Sequence, residues 1–305
     1  MAKKLKFDLT NMSTSNPVDS VEIYSQALIQ GGSKETFSNI LDVKDKARIR
    51  KHNFGNVLQA DGCSFNAQGA GELDEKLVDA CAIKVNVEIC QETLETSFVA
   101  NQMRAGSNSA DFLPADFQAY VAAELARKMS ADFETLVWQG DTGSALYPLA
   151  LCDGLLVKME DTGSGVIGTT GGAITTSNVI AALQEVYDAL PEAIVFSPET
   201  VIYVSTNVMQ AYKQAIAAQS AETYFVKNAE PSFLGIPLVL AQGLPASRIV
   251  AAEKTNLFLV TDLMSDFEEV RILPMLSTTG DNTVRIVGRV KFAVDFAYGA
   301  EIVLW

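Results

Sequence analysis

Two tetrapeptides carry the most suggestive chemistry in the sequence: Asp141-Thr142-Gly143-Ser144 and Asp161-Thr162-Gly163-Ser164. Both spell the segment in which aspartic proteases place their catalytic carboxylates, and that chemistry needs two carboxyl groups close enough to share one proton. The two copies normally come from two similar lobes or two subunits. Here 20 residues separate them, and no lobe-sized repeat surrounds them. Asp141 follows Gly140 and Asp161 follows Glu160, where an apolar strand would be required. The reading is two Gly-containing turns, with an aspartic-type hydrolase using Asp141 and Asp161 kept as an alternative.

The other reactive residue types are sparse. His52 is the single histidine, so mechanisms needing two or three histidines are excluded, most catalytic zinc sites among them. His52 lies in a basic cluster and reads as solvated. The four cysteines, Cys63, Cys81, Cys90 and Cys152, form no C-x-x-C pair and are too few for a disulfide scaffold. They read as reduced buried thiols, with a Cys63–Cys90 bridge left open. Gly168 to Ala173 is Gly-rich but lacks the Gly-Lys-Ser/Thr ending of a phosphate loop, and Gly163-Ser164-Gly165 is not a nucleophile elbow. No calcium-loop spacing occurs. The expectation is a non-enzyme with no cofactor and no metal.

Composition bounds the class of protein. The 305 residues are 48% hydrophobic and 20% charged, which suits one large or two ordinary folded domains. The formal charge of −14 excludes a uniformly basic nucleic-acid-coating protein. Charge is uneven. Residues 1–54 hold nine basic and six acidic residues, including Lys44, Lys46, Arg48, Arg50 and Lys51, and the remainder carries a net −17. A mildly basic, extended arm thus precedes an acidic body, and it could lie on an acidic neighbouring copy. The N-terminal Lys residues precede no apolar stretch, and the charge-free runs are too rich in Gly, Ser, Thr or Pro for a membrane helix, so no secretion signal and no membrane contact are expected.

The elements that would position these residues follow from periodicity. Ile83, Val85, Val87 and Ile89 alternate with polar residues, which predicts a half-buried strand within a hairpin over 55–91. Phe117, Val121, Leu125, Met129, Phe133 and Leu136 form one apolar stripe and predict a long helix over 114–138. Ser177 could cap a second helix that ends at Pro191, and Ser205 starts a third. Ala193–Phe196, Val201–Val204, Leu234–Leu240, Arg248–Ala252 and Leu257–Val260 read as strands. Val284 to Phe296 alternates over a strand of about 43 Å, long enough to lie along the long helix. Trp138 and Trp305 end apolar segments and read as core. Together these make an α+β protein with extensions that need covering, most simply by copies of itself.

Several short stretches, in order, resemble one family. Leu136-Val137-Trp138-Gln139-Gly140-Asp141 at the end of the long helix, Asp153-Gly154-Leu155-Leu156, Leu234-Gly235-Ile236-Pro237-Leu238-Val239, Asn256-Leu257 and the Phe292 to Val303 end are similar to the major capsid proteins of tailed bacteriophages, with the Hong Kong 97-like shell fold. The likeness runs from about Val43 to Trp305. It implies an N-terminal arm (1–54), an extended E-loop hairpin (55–91), a peripheral domain (92–149 and 266–305) with spine helix 114–138, and an axial domain (150–265). It also implies an icosahedral shell built from pentamers and hexamers of this chain, located in the virion capsid and assembled in the bacterial host cytoplasm. Separate scaffolding, portal and decoration proteins are implied as partners, and packaged double-stranded DNA would be contacted weakly and without sequence specificity. An encapsulin-like nanocompartment shares the implied fold and is the second reading. Contacts between subunits are expected at Lys44, Lys46, Arg48, Arg50 and Lys51, and at Ile83, Val85, Val87 and Ile89.

Overall fold

The computed structural model describes residues 36–41, 43, 45–55, 58, 60–61, 71–90, 128–169, 171–219, 231–261, 271–275, 279–281 and 283–305. In chain order the elements are β1 (Ser38–Ile40), β2 (Lys46–Phe54), β3 (Gly71–Asp79), β4 (Cys81–Cys90) and α1 (128–139), followed by α2 (Leu155–Glu160), β5 (Ile167–Gly168) and α3 (Val179–Ala189). The chain continues through β6 (Thr200–Val204), α4 (Thr206–Gln219), β7 (Ser232–Phe233), β8 (Ile236–Leu240) and β9 (Ile249–Glu253). It ends with β10 (Leu257–Thr261), β11 (Arg271–Pro274), β12 (Thr283–Phe296) and β13 (Val303–Leu304). The mixed α+β composition expected from the sequence is what forms.

β12 organises the first sheet. Its early residues pair antiparallel with β4 on one edge and β11 on the other, and its last five pair with β10, which in turn carries β1. Alternation sets its faces. Val290, Phe292, Val294 and Phe296 point into the main core, where Phe133 of α1 meets Phe292 with ring centroids 5.7 Å apart. The expected apposition of long helix and long strand is therefore present for the part of the helix that is described, and 114–127 lies outside the described residues. The other face of β12 is buried only near its end, where Ala293 joins Val260, Val43, Ala47, Ile49 and Val78 in a small separate cluster.

The second sheet runs β5-β13-β9-β6-β8-β7. All five β6 residues are buried because both faces are covered, which is why the segment reads as a continuous apolar run. Val201 and Tyr203 face α1, and Ile202 and Val204 face α3 and α4. One strand thus joins two cores. β10, inside 150–265, belongs to the first sheet, and β13, inside 266–305, completes the second. Leu234 and Gly235 link β7 to β8 with φ of 47° and 90°, the two positive values of a type I′ hairpin turn.

Three expectations are corrected. Ala193–Phe196 is a turn and not a strand: Ile194 and Val195 N–H groups both donate to Pro191 O, so the chain coils there, burying Ile194 and leaving Phe196 87% exposed. The start of α3 is held by Asn178 in place of Ser177, its Oδ1 accepting from Thr175 N at 2.6 Å and its Nδ2 donating to Ala173 O at 2.9 Å. The cysteines are not all free thiols. A disulfide joins Cys81 to Cys152, with Cα atoms 6.1 Å apart. The side chains of Cys63 and Cys90 lie outside the described residues.

The turn after α1 is a backbone crossing. Gly140 N donates to Leu136 O, and Gly154 N donates to Gly140 O at 2.8 Å. Thr142 donates to Asp153 Oδ1 through both its N–H and its hydroxyl, each at 2.8 Å. A Cβ on Gly140 would come 2.1 Å from Cys152 O, and one on Gly154 would come 2.6 Å from Gly140 N. The sequence stretches ending at Asp141 and starting at Asp153 are thus two halves of one contact. Phe37, ahead of β1, closes the same region from the other side. Its ring packs edge-on against Trp138 and Tyr203, both at 5.7 Å, and this ties the described end of the N-terminal segment into the core.

Candidate assembly surface

β2 and β3 form a two-stranded ribbon in register from Lys46↔Asp79 to Phe54↔Gly71. Period-two geometry sorts its side chains. Ala47, Ile49 and Val78 turn inward onto the small cluster behind β12. The opposite face carries Lys46, Arg48, Arg50, His52 and Phe54 from β2, and Leu73, Glu75, Leu77 and Asp79 from β3, and all are exposed. Phe54 is 63% exposed, Leu73 75% and Leu77 51%. An isolated two-stranded ribbon is marginally stable in water, so its attachments decide whether it holds a shape.

The principal attachment is a buried carboxylate. Asp295, on the ribbon-facing side of β12, has a side chain only 4% exposed. Its Oδ1 lies 2.5 Å from Lys76 Nζ of β3, and its Oδ2 lies 3.2 Å from Lys158 Nζ of α2. Lys76 also donates to Phe296 O at 3.3 Å and sits 4.1 Å above the Phe296 ring, and Lys158 donates to Val294 O at 2.7 Å. One carboxylate thus binds ribbon, helix and sheet together. Further out, the Tyr298 hydroxyl accepts from His52 N and donates to His52 O, both at 3.2 Å, and Lys51 Nζ lies 5.9 Å from the centre of the Tyr298 ring. At the root, Ala80 N donates to Asp45 O at 2.9 Å.

Removing a buried partner strands the opposing charge, at roughly 3–5 kcal/mol. Both lysines keep some solvent, at 32% and 26% exposure, so Asp295→Asn is expected at the lower end, about 3 kcal/mol, with a melting temperature lowered by roughly 5–10 °C. Adding Lys76→Met and Lys158→Met to an Asp295→Leu chain should recover much of that loss. Thermal unfolding of the two variants checks both statements.

The basic residues expected to act as a free arm are mostly strand residues of this ribbon. Lys46 pairs with Asp79 at 2.9 Å, and Arg48 with Glu75 at 3.7 Å. The Asp79 carboxylate, hydrogen-bonded to Lys46, raises that ammonium above its ordinary pKa. Arg50 stands opposite Glu75 in register. The acids of β3 therefore answer the cluster within the chain, and Lys44 lies outside the described residues. β4 is likewise not a ribbon strand: it pairs with β12 over ten residues. Ile83 is 7% exposed and Val85 packs partly against the same core. Val87 is half-buried, and Ile89 stands opposite Val284 in register. Ile83 and Val85 thus contribute to the chain's own core. Sequence reading missed Phe54, Leu73 and Leu77, although Leu73 and Leu77 sit at strand spacing among acids.

The two aspartate tetrapeptides are turns. Asp141 carboxylate accepts from Gly143 N at 2.8 Å and its carbonyl from Ser144 N at 2.9 Å. Asp161 O accepts from Ser164 N at 2.9 Å, and Ser164 Oγ donates to Met159 O at 2.8 Å. Among the described residues no group of three or more His, Cys, Asp and Glu could hold a metal ion, and no helix is long and apolar enough to cross a membrane.

A pair of carboxylates adds a pH dependence. Burial, and then the nearby Glu253 charge, raise the pKa of Glu301. A raised carboxyl contributes stability below the ordinary value and loses it as pH climbs through the folded value. Glu301→Gln should therefore raise the melting temperature at pH 7 by about 1–2 °C and leave it unchanged near pH 4. Paired melts at the two pH values check the sign.

No family model matches the sequence, and no curated relative matches it. Solved structures do match. A chain of the satellite phage P4 procapsid superposes with a TM-score of 0.57 at 13% identity, covering 93% of this chain and 97% of that one. The capsid of an empty GTA particle gives 0.59 at 13% identity, covering 90% and 88%. The virus-like particle from Pyrococcus furiosus gives 0.50 at 12% identity, covering 93% and 97%. The chain therefore has the fold of capsid-shell subunits, over nearly its whole length.

Proposed function

We propose that this chain is a structural protein that self-assembles into the icosahedral shell of a tailed bacteriophage, in the Hong Kong 97-like manner, and that it acts by association and not by catalysis. The observation that carries this reading is the anchored ribbon: a two-stranded extension fixed to the body by Asp295 and Tyr298 while its outer face shows Phe54, Leu73 and Leu77 to solvent. The near full-length likeness to phage capsid chains supports it.

In this reading the ribbon lies across a neighbouring copy, and the α3–α4 layer with its sheet packs around pentamer and hexamer axes. Arg48 and Arg50, which face Glu75 within the chain, border that apolar contact. Each contact can be weak because every subunit makes many. The net −14 charge keeps packaged double-stranded DNA from adhering. Scaffolding, portal and decoration proteins are the expected partners, in the host cytoplasm during assembly and in the virion afterwards. Sedimentation velocity of the purified chain tests the proposal. Rings of five or six copies, or particles of far larger mass, support it. A sharp monomer boundary at all concentrations, with or without a scaffolding partner, would count against it.

The likeness to the Pyrococcus furiosus virus-like particle favours one second reading, a nanocompartment shell. Particles purified with an enzyme cargo and without nucleic acid would select it.

A further inference from the structure

We propose that Cys81 and Cys152 form a reversible redox latch at the root of the ribbon, open while the chain folds under reducing conditions and closed afterwards by thiol–disulfide exchange. Three observations carry it. The Cα separation of 6.1 Å lies inside the span a disulfide bridges without backbone movement. Both residues converge on Phe292: Cys81 stands opposite it in the β4–β12 register, and Cys152 Sγ lies 3.9 Å from its carbonyl oxygen. The site also does not need the bond in order to form, because ten register pairs hold β4 to β12 and the Gly140–Gly154 crossing holds the Cys152 segment.

Position gives the latch its effect. Cys81 follows the last ribbon residue, Asp79, by two, and Ala80 between them is hydrogen-bonded to Asp45 at the other strand's start. Cys152 lies just before Gly154, at the exit of α1. Closing the bond fixes the ribbon's root to the crossing that terminates the helix, and it spans a sequence separation of 71 residues. A cross-link over so long a segment mainly restricts the unfolded chain.

Exposure sets the order of steps. Cys81 is half-buried and Cys152 is 1% exposed. The oxidant is a low-molecular-weight disulfide. The Cys81 thiolate attacks it, forms a mixed disulfide and releases one small thiol. Cys152 then attacks the Cys81 sulfur and releases the second. Two protein thiols and one small disulfide become one protein disulfide and two small thiols, with protons and electrons balanced.

The test uses the full chain, purified with reductant and then divided between reductant and oxidised glutathione. Peptide mapping without reduction should recover a Cys81–Cys152 cross-linked peptide only from the oxidised half. That half should melt about 5–10 °C higher. Cys81→Ser, at the less buried partner, should fold and melt at the same temperature in both halves, matching the reduced parent. Free Cys81 and Cys152 after oxidation would overturn the proposal, as would a Cys63–Cys90 peptide in their place, or a redox-dependent shift that survives in Cys81→Ser. The readouts come from the chain itself, so their failure is separate from failure of the shell reading.

Discussion

Replacing Phe54, Leu73 and Leu77 with serine is expected to abolish shells while leaving a folded, soluble subunit. The three side chains are 63%, 75% and 51% exposed, so the isolated chain loses little by giving them up. Surface changes of this kind usually stay within about ±0.5 kcal/mol each. In an assembled shell the same side chains would be buried, and each large apolar group is then worth about 1.5–3 kcal/mol. Since every subunit repeats the contact, even half that loss per copy shifts assembly by orders of magnitude. The check pairs circular dichroism and thermal melting with sedimentation of the same sample: unchanged melting and no fast-sedimenting species. Particles of normal size and yield from the triple variant would mean that the ribbon face is not the contact.

Gly140→Ala is expected to do the opposite, destroying the subunit before assembly can be asked about. Its Cβ would sit 2.1 Å from Cys152 O, 2.8 Å from Leu136 O and 2.9 Å from Gly154 N. All three are backbone atoms, so no rotamer can relieve the contact. The crossing must open, which breaks the Gly154 N to Gly140 O bond and moves the Asp153 acceptor away from Thr142. Trp138, fully buried two residues earlier, would be displaced with it. A loss of more than about 4 kcal/mol is expected, enough to send most of the chain to the insoluble fraction. Soluble yield and melting temperature beside Gly143→Ala, where the nearest atoms belong to the Asp141 side chain, measure it. Equal behaviour of the two variants would contradict the role given to the crossing.

Periodicity made faces legible and left partners hidden. The alternations at 83–89 and 284–296 predict strands correctly, because a half-buried strand must alternate. They carry no information on what lies alongside, and β4, expected within a hairpin, pairs with β12 across roughly 200 residues of chain. The ribbon's first strand is hidden in the sequence for a different reason. Ala47 and Ile49 do alternate with Lys46, Arg48 and Arg50, but its inward face is short, so net charge dominates the pattern. The disulfide had no signal in spacing, since Cys81 and Cys152 lie 71 residues apart and are brought together only by the fold. The Asp295 node was equally silent: Lys76, Lys158 and Asp295 are ordinary charged residues until the fold encloses them. By contrast, Leu136 to Asp141 and Asp153 to Leu156, two of the stretches that resemble the capsid family, form the two halves of one tight backbone contact.

The proposed function requires that copies of this chain close into a shell through the ribbon. Single-particle electron microscopy of the purified protein, prepared alone and with its proposed scaffolding partner, is the decisive test. Closed icosahedral particles, or pentamer and hexamer rings, are expected, with the β2–β3 ribbon of each subunit lying on its neighbour. A homogeneous field of monomers or dimers in both preparations would contradict it, as would closed particles whose subunits leave the ribbon's outer face in solvent.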